Sequence, residues 1–271
     1  MATASATMPV GLAEAFGKIQ ACIDRTIPPQ LIGEALTKAV NERPDNILRP
    51  SMTPGVGMAA AALPRPGIAV VATKLWKPGR TLRVSFLDST SAFIRQKVEQ
   101  FAHEWEQFAN IRLQFGNDAD AEIRITGTLG LGSWAFLGTD ALLIPPGQPT
   151  MNYGWFTDTT PDDEFSRTVL HEFGHALGAI HEHQHPEGGI PWNRPAAERF
   201  YMETQGWTKE EVEQQLFAKY DRDSLNMSGF DPASIMHYPV PAELLTDASR
   251  AVGWNRVLSV QDQVFMGRMY P

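Results

Sequence analysis

Apolar and polar residues alternate where the main domain begins. In TLRVSFLD, residues 81–88, the apolar side chains of Leu82, Val84 and Phe86 alternate with polar ones. A period of two is that of a strand with one buried face, so the pattern predicts a β-strand. Two further segments have strand character: residues 111–115 and residues 121–127.

Helical spacing follows the first strand. Between residues 91 and 110 the apolar positions fall mainly on one stripe, which predicts a helix packed on the sheet rather than a cofactor site. The positions are Phe93, Ile94, Val98, Phe101, Ala102, Trp105 and Phe108. The order strand, helix, strand, strand predicts an α+β fold with a mixed sheet.

Residues 132–156 predict a loop and one or two short strands. A strand left unpaired on one side could hold an extended peptide through main-chain hydrogen bonds. The aromatic residues of this segment are equally consistent with core and rim packing. They are Trp134, Phe136, Tyr153 and Trp155.

Residues 1–66 differ from the rest of the chain. Two short amphipathic helices are predicted, one on Leu12, Ala15, Phe16 and Ile19 and one on Leu31, Ala35, Leu36 and Ala39. Residues 49–67 are rich in proline, glycine and small side chains, which favours an exposed connector. We therefore predict an N-terminal extension over residues 1–66, a propeptide with its linker, and a main domain over residues 67–271.

The segment TTPDDEFSRTVLHEFGHALGAIHE, starting at residue 159, carries the candidate chemistry. Thr160 is predicted to cap a helix whose first residue is Pro161. His171 and His175 lie four residues apart, so their imidazoles share one helix face and can converge on one ion. Glu172 lies beside the first histidine, where a general base for a metal-activated water is required.

A third histidine completes the motif HExxHxxGxxH. Gly178 can adopt the left-handed conformation that ends a helix, which lets the chain return His181 to the same ion. Three neutral imidazoles leave a fourth position on zinc open, as in catalytic sites. The alternative, a helix that is rich in histidine by chance, accounts poorly for the complete spacing.

Composition and charge exclude several classes of function. The 271 residues are 43% hydrophobic, enough for one sizeable core, and the net charge of -8 argues against a nucleic-acid or anionic-membrane partner. No apolar run approaches the ~18 residues of a membrane span, and no secretory signal is visible at the N-terminus. Cys22 is the sole cysteine, so no intrachain disulfide can form.

The segment HEFGHALGAIHE, together with SIMHY at residues 234–238, resembles the astacin branch of the metzincin zinc endopeptidases. GSWAFLG, residues 132–138, is a further similar segment. The resemblance implies a twisted mixed sheet with an active-site helix above a cleft, and an irregular, helical lower subdomain. It implies hydrolysis of peptide bonds in protein or peptide substrates with one zinc ion as cofactor.

The resemblance also assigns roles to individual residues. It makes His171, His175 and His181 the zinc ligands and Glu172 the general base. Tyr238 would be a movable ligand that stabilises the oxyanion, and Met236 the apolar floor beneath the imidazoles. Glu182 would pair with an amino terminus freed by maturation near residues 67–72.

Several family features are absent from this sequence. One cysteine permits none of the family's disulfides, the arginine after the third histidine is missing, and residues 1–66 lack the FxGD motif of many propeptides. Cys22 is an alternative latency ligand, because a thiolate binds zinc strongly; otherwise it is a small buried hydrophobe. His183 and His185 are not expected to bind zinc, because the three-histidine motif is already complete and because surface histidines are common. The resemblance favours secretion, although no signal peptide is visible.

Two alternative functions remain at this point. A non-catalytic module could keep the zinc fold to bind a peptide or a protein, although it would need neither Glu172 nor Tyr238. Another metzincin branch is the second alternative, in which Tyr238 would have little influence on turnover.

Overall fold

The computed structural model describes residue 20 and residues 22–46, 74–220 and 229–271. The strands are β1 (Thr81–Phe86), β2 (Arg112–Gly116), β3 (Ile123–Thr126), β4 (Trp134–Ala135) and β5 (Met151–Asn152). The α-helices are α1 (Ile32–Glu42), α2 (Ala92–Ala102), α3 (Asp162–Ala176), α4 (Arg194–Gln205), α5 (Lys209–Val212) and α6 (Val260–Met269). A π-helical turn, Glu213–Phe217, continues α5. Short 3-10 helices include Pro44–Asn46, His103–Gln107, Gly138–Leu143 and Glu182–Gln184.

The strands of the described residues form one mixed sheet in the order β2-β1-β3-β5-β4. Neighbouring strands are parallel except β4, which runs antiparallel to β5. Because β4 ends the order, its outer side is free of other named strands. The mixed sheet predicted from the sequence is confirmed.

Helices α2 and α3 cover the sheet and form the main core with it. Val98, Phe101 and Trp105 are buried together with Val169 and Phe173 of α3. The indole of Trp105 donates a hydrogen bond to the carbonyl of Leu170 at 3.0 Å. The predicted apolar stripe is therefore core, although α2 ends at Ala102 and continues as a 3-10 helix instead of reaching residue 110.

The start of α3 differs from the prediction. The helix begins at Asp162 with Pro161 in the cap position and no side-chain cap. The hydroxyl of Thr160 instead accepts a hydrogen bond from the backbone amide of Thr157 at 2.9 Å. Thr160 is thus not the N-cap, because a local turn already uses its side chain.

The lower half is helical and irregular. A second core cluster joins Phe200 and Tyr201 of α4 to Trp207, Leu216 and Tyr238. Capping boxes start two of the helices: Thr208 with Glu211 at α5 and Ser259 with Asp262 at α6. Within the described residues, no helix combines the length and apolar character needed to cross a bilayer.

The described part of the N-terminal extension packs on the main domain. Helix α1 confirms the predicted helix around Ala35 and Ala39, both of which are buried. The Asn46 amide donates to the carbonyl of Leu75 at 2.8 Å and accepts from its backbone N–H at 3.2 Å. The other predicted helix and the boundary at residues 66 and 67 lie outside the described residues.

Candidate metal centre

Three imidazoles meet between α3 and the turn that follows it. The Nε2 atom of His181 lies 3.1 Å from that of His175 and 3.2 Å from that of His171. All three side chains are buried. The structure therefore brings together the three histidines of the motif.

The return of His181 depends on the glycine after the helix. Gly178 has a φ of +94°, and its amide donates to the carbonyl of His175 at 2.8 Å. A Cβ added there would lie 3.1 Å from the Leu75 side chain. A residue other than glycine would be strained here both by its backbone and by this contact.

We expect Gly178→Ala to lower the free energy of unfolding by about 1–2 kcal/mol, the usual cost of a left-handed L-residue. Urea unfolding of the zinc-loaded chain measures the change. Gly33→Ala is a matched control, because Gly33 lies in α1 with open space around its Cα. Equal stability of the two variants would contradict the strained turn.

Backbone carbonyls orient two of the imidazoles. His171 Nδ1 lies 2.8 Å from the carbonyl oxygen of Ile235, and His175 Nδ1 lies 2.8 Å from that of Ala179. An Nδ1–H donor at these contacts leaves Nε2 with a lone pair for a metal. Burial also lowers the pKa of each of these histidines, which favours the neutral ligand form.

An aspartate of the extension lies beside the third imidazole. Asp24 Oδ1 is 2.9 Å from His181 Nδ1, although the N–H is not aligned with it as in a hydrogen bond. A carboxylate next to the distal nitrogen of a ligating histidine is a common outer contact of zinc sites. Nothing in the sequence around Asp24 indicates this contact, because it depends on how the extension crosses the cleft.

The donor atoms fit a zinc ion. Two nitrogens bound tetrahedrally at the usual Zn–N length are about 3.3 Å apart, close to the observed Nε2 separations. Cys22 contributes a fourth buried donor, and one donor atom from each of the four residues lies within 4.8 Å of the others. Imidazole and thiolate are ligands that zinc prefers.

Glu172 lies at the centre but is not one of these donors. It is 1% exposed, and its Oε2 accepts a weak hydrogen bond from Cys22 Sγ at 3.5 Å. Its Oε1 has no hydrogen-bond partner within the described structure. Burial raises the pKa of this carboxyl to about 8. A buried carboxyl with a free oxygen beside the histidines is suited to carry a proton.

Tyr238 closes the other side of the centre. Its ring lies 4.5 Å from the His181 ring and stacks on His183 at 4.2 Å between centroids. Its hydroxyl donates a hydrogen bond to the backbone carbonyl of Cys22. Burial raises the pKa of this phenol well above its ordinary value, so the hydroxyl keeps its proton for donation.

Met236 packs against α3, the helix that carries His171 and His175. A Cβ at Gly174 would collide with the thioether of Met236, so the glycine allows the turn to pack closely under the helix. The Asp262 carboxylate fixes the same turn by accepting hydrogen bonds from Ile235 N at 2.8 Å and Ser234 Oγ at 2.7 Å. Asp262 thus has two roles, because it also forms the capping box of α6 with Ser259.

Glu182 follows the third histidine and is partly buried next to two other acidic residues, Asp231 and Asp262. Its Oε1 accepts a hydrogen bond from the backbone amide of Asp231 at 2.7 Å. Burial, together with the charges of Asp262 and Asp231, raises its pKa to about 8. The carboxyl is therefore held within the protein, where a cationic partner would stabilise its charged form.

The expectation that His183 and His185 lie on the surface is wrong. Both are buried, His183 at 2% exposure and His185 at 5%. His183 Nε2 contacts the Gln215 carbonyl oxygen at 2.8 Å, and its ring supports Tyr238. Neither residue is part of the cluster of four donor atoms.

A cleft lies beside Glu172 between α3 and the segment after Tyr238. Arg167 is placed in it with its guanidinium 4.2 Å from the centroid of the Trp254 ring. Arg167 also pairs with Glu164 on the preceding turn of the helix. Sequence reasoning did not identify this arginine, because its neighbours come from distant parts of the chain.

Comparison with solved structures identifies the family. A structure of myroilysin is 44% identical, with a TM-score of 0.72, over 74% of this chain and 97% of that one. A crystal structure of myroilysin is 42% identical, with a TM-score of 0.58, over 73% and 86%. The chain belongs to the astacin-like zinc metalloproteases. No protein-family model and no curated protein matches it.

The astacin-like fold extends to a more distant protein. High choriolytic enzyme 1, a hatching enzyme zinc-protease from Oryzias latipes (Medaka fish), shares the fold at 19% identity and a TM-score of 0.53. That match covers 73% of this chain and 95% of the other. Membership in the family, which rests on the myroilysin matches, makes this chain a zinc metalloendopeptidase with zinc as its cofactor.

Proposed function

We propose that this protein hydrolyses internal bonds of extended polypeptides, with zinc held by His171, His175 and His181 and with Glu172 as the general base. The convergence of the three Nε2 atoms beside the free oxygen of Glu172 carries the proposal. A protein that only bound peptides would need no such base, so this geometry favours catalysis over the non-catalytic alternative.

Each group has a defined task. Bound zinc supplies a Lewis acid that acidifies water and polarises the scissile carbonyl. Glu172 takes the proton of the attacking water and returns it to the leaving amine. Tyr238 donates its hydroxyl hydrogen bond to the oxygen of the scissile carbonyl as negative charge develops there.

Casein or a quenched-fluorescence peptide tests this function directly. We expect the activated chain to cleave internal bonds, a chelator to stop cleavage, and added zinc to restore it. Cleavage that persists at full rate after complete metal removal would contradict the proposal.

Replacing Tyr238 with Phe tests the oxyanion role. We expect a fall in kcat of about 10²–10³-fold, the usual effect of losing one oxyanion donor. KM and zinc content should change little, since the ring and its stacking on His183 remain. Turnover within twofold of the parent would instead favour a metzincin branch in which the tyrosine has no catalytic role.

The N-terminal extension is proposed to keep the enzyme latent, with residues 67–271 as the catalytic domain. Cys22 supports this role because it is buried with its thiol among the three imidazoles and beside Glu172. Its carbonyl also holds the hydroxyl of Tyr238. Substrate cannot reach these groups until the segment leaves, so a purely hydrophobic role for Cys22 is less consistent with its contacts.

Glu182 is proposed to bind the amino terminus created near residues 67–72. An ammonium group would stabilise the charged form of this partly buried carboxyl, whose acidic neighbours disfavour it. N-terminal sequencing of the active form tests the position of the cut. A terminus far from residues 67–72 would remove this role.

A further inference from the structure

An arginine of the extension lies on an indole at the edge of the sheet. The guanidinium carbon of Arg25 is 4.6 Å from the centroid of the Trp134 ring, within the range of a cation–π contact. Phe136 packs edge-on against the same indole at 5.9 Å between centroids. Trp134 is on β4, an edge strand of the sheet.

The extension reaches this position as an added strand. Cys22 bridges to Ser133 and Arg25 bridges to Phe136, both in parallel orientation. The amide of Ile23 donates to the carbonyl of Ser133 at 3.0 Å. A chain that pairs with this edge therefore occupies the cleft by main-chain hydrogen bonds, which any extended peptide can make.

Side chains of the added strand point to different sides. Cys22 and Asp24 contact the metal-site histidines, whereas Arg25 lies on Trp134. Residues 22 and 25 are separated by about 10 Å if the segment is extended. The residue on the indole, Arg25, thus lies three positions along the chain from Cys22, whose thiol is the donor at the metal centre.

We propose that Trp134 forms a substrate subsite that binds a cationic side chain, arginine above all, two or three residues from the scissile bond. This inference rests on the proposed endopeptidase function and adds a preference to it. Arg25 occupies the subsite while the extension is in place, and a substrate residue takes its position afterwards.

The chemistry of the site favours a planar cation. The face of an indole attracts a guanidinium through its quadrupole and stacks on its flat surface, which an ammonium does less well. The net charge of -8 on the chain adds a general attraction for basic peptides. A substrate side chain can lie on the Trp134 ring while the substrate backbone pairs with β4. A peptide can therefore make both contacts at once.

Cleavage of a peptide series by the full chain, activated by limited proteolysis, tests the subsite. Each quenched-fluorescence peptide carries arginine at one position near the cleaved bond, with citrulline or norleucine there in its partners. We expect kcat/KM about two- to fivefold higher for arginine than for citrulline at one position two or three residues from the bond. Equal values at every position would overturn the subsite.

Substitutions of Trp134 test whether its aromatic ring, rather than apolar packing alone, causes the preference for arginine. Trp134→Leu should remove the preference for arginine over citrulline, and Trp134→Phe should keep part of it. Trp254→Leu serves as the control, because that indole lies under Arg167 and the preference should persist. An unchanged preference in Trp134→Leu would refute the assignment. If that variant does not fold, the peptide series on the parent still decides.

The peptide series distinguishes a failure of the endopeptidase function from a failure of the Trp134 subsite. If the activated chain cleaves none of the peptides, the endopeptidase function itself is refuted. If it cleaves them all without regard to arginine, the function stands and the Trp134 subsite is refuted.

Discussion

Glu172→Gln lowers kcat of the activated enzyme by about 10²–10⁴-fold, the range that a positioned general base contributes. Glutamine keeps the size of the side chain but cannot accept the proton of the attacking water. The three histidines are unchanged, so we expect the variant to bind zinc as the parent does. Hydrolysis of a quenched peptide measures the rate, and metal analysis of the purified variant measures the zinc content.

Asp163→Asn is the matched control for this experiment. It makes the same change from carboxylate to amide on the same helix, at an exposed residue of its first turn that pairs with Arg256. We expect activity within twofold of the parent. If Glu172→Gln kept a comparable activity with full zinc content, the base would have to be another group.

The local geometry of the site was predictable because it follows from short spacings. His175 follows His171 by four positions, and the regular helix places the two side chains on one face. Gly178 supplies the left-handed turn that brings back His181, as its φ of +94° shows. Similar reasoning predicted β1, although its alternation holds only as far as Val84, because Ser85 is buried and Phe86 is only partly buried.

Contacts between distant segments were not predictable from spacing. Cys22 and Glu172 are 150 residues apart, and the contact depends on a strand pairing with β4 that has no separate sequence signal. The Asp262 carboxylate caps α6 and also accepts a hydrogen bond from the backbone amide of Ile235, which lies 27 residues earlier in the chain. Reasoning from local sequence failed at Thr160. This residue type is a favourable N-cap, but here its hydroxyl accepts a hydrogen bond from the Thr157 amide in the preceding turn.

Cys22→Ser should make the uncleaved chain measurably active, with a rate at least about tenfold above the uncleaved parent, because a hydroxyl replaces a strong thiolate ligand. In the parent, the thiol lies with the three imidazoles and beside Glu172. Without it, the segment loses its main attachment to the centre. Peptide hydrolysis by chains shown by mass to be uncleaved measures the effect.

Thr26→Ala is the control, because Thr26 is an exposed residue of the same segment, four positions beyond the cysteine. We expect that variant to stay as latent as the parent. An uncleaved Cys22→Ser chain with no more activity than Thr26→Ala would show that the thiol does not block the enzyme.

Latency should nevertheless be only partly lost in Cys22→Ser. The carbonyl of residue 22 can still hold the Tyr238 hydroxyl, and Asp24 remains beside His181. Pairing of the segment with β4 is also made by the backbone and does not depend on the thiol. We therefore expect the uncleaved variant to remain slower than the cleaved parent. Equal rates would mean that the thiol alone restrains the enzyme and that the backbone contacts of the extension add nothing to latency.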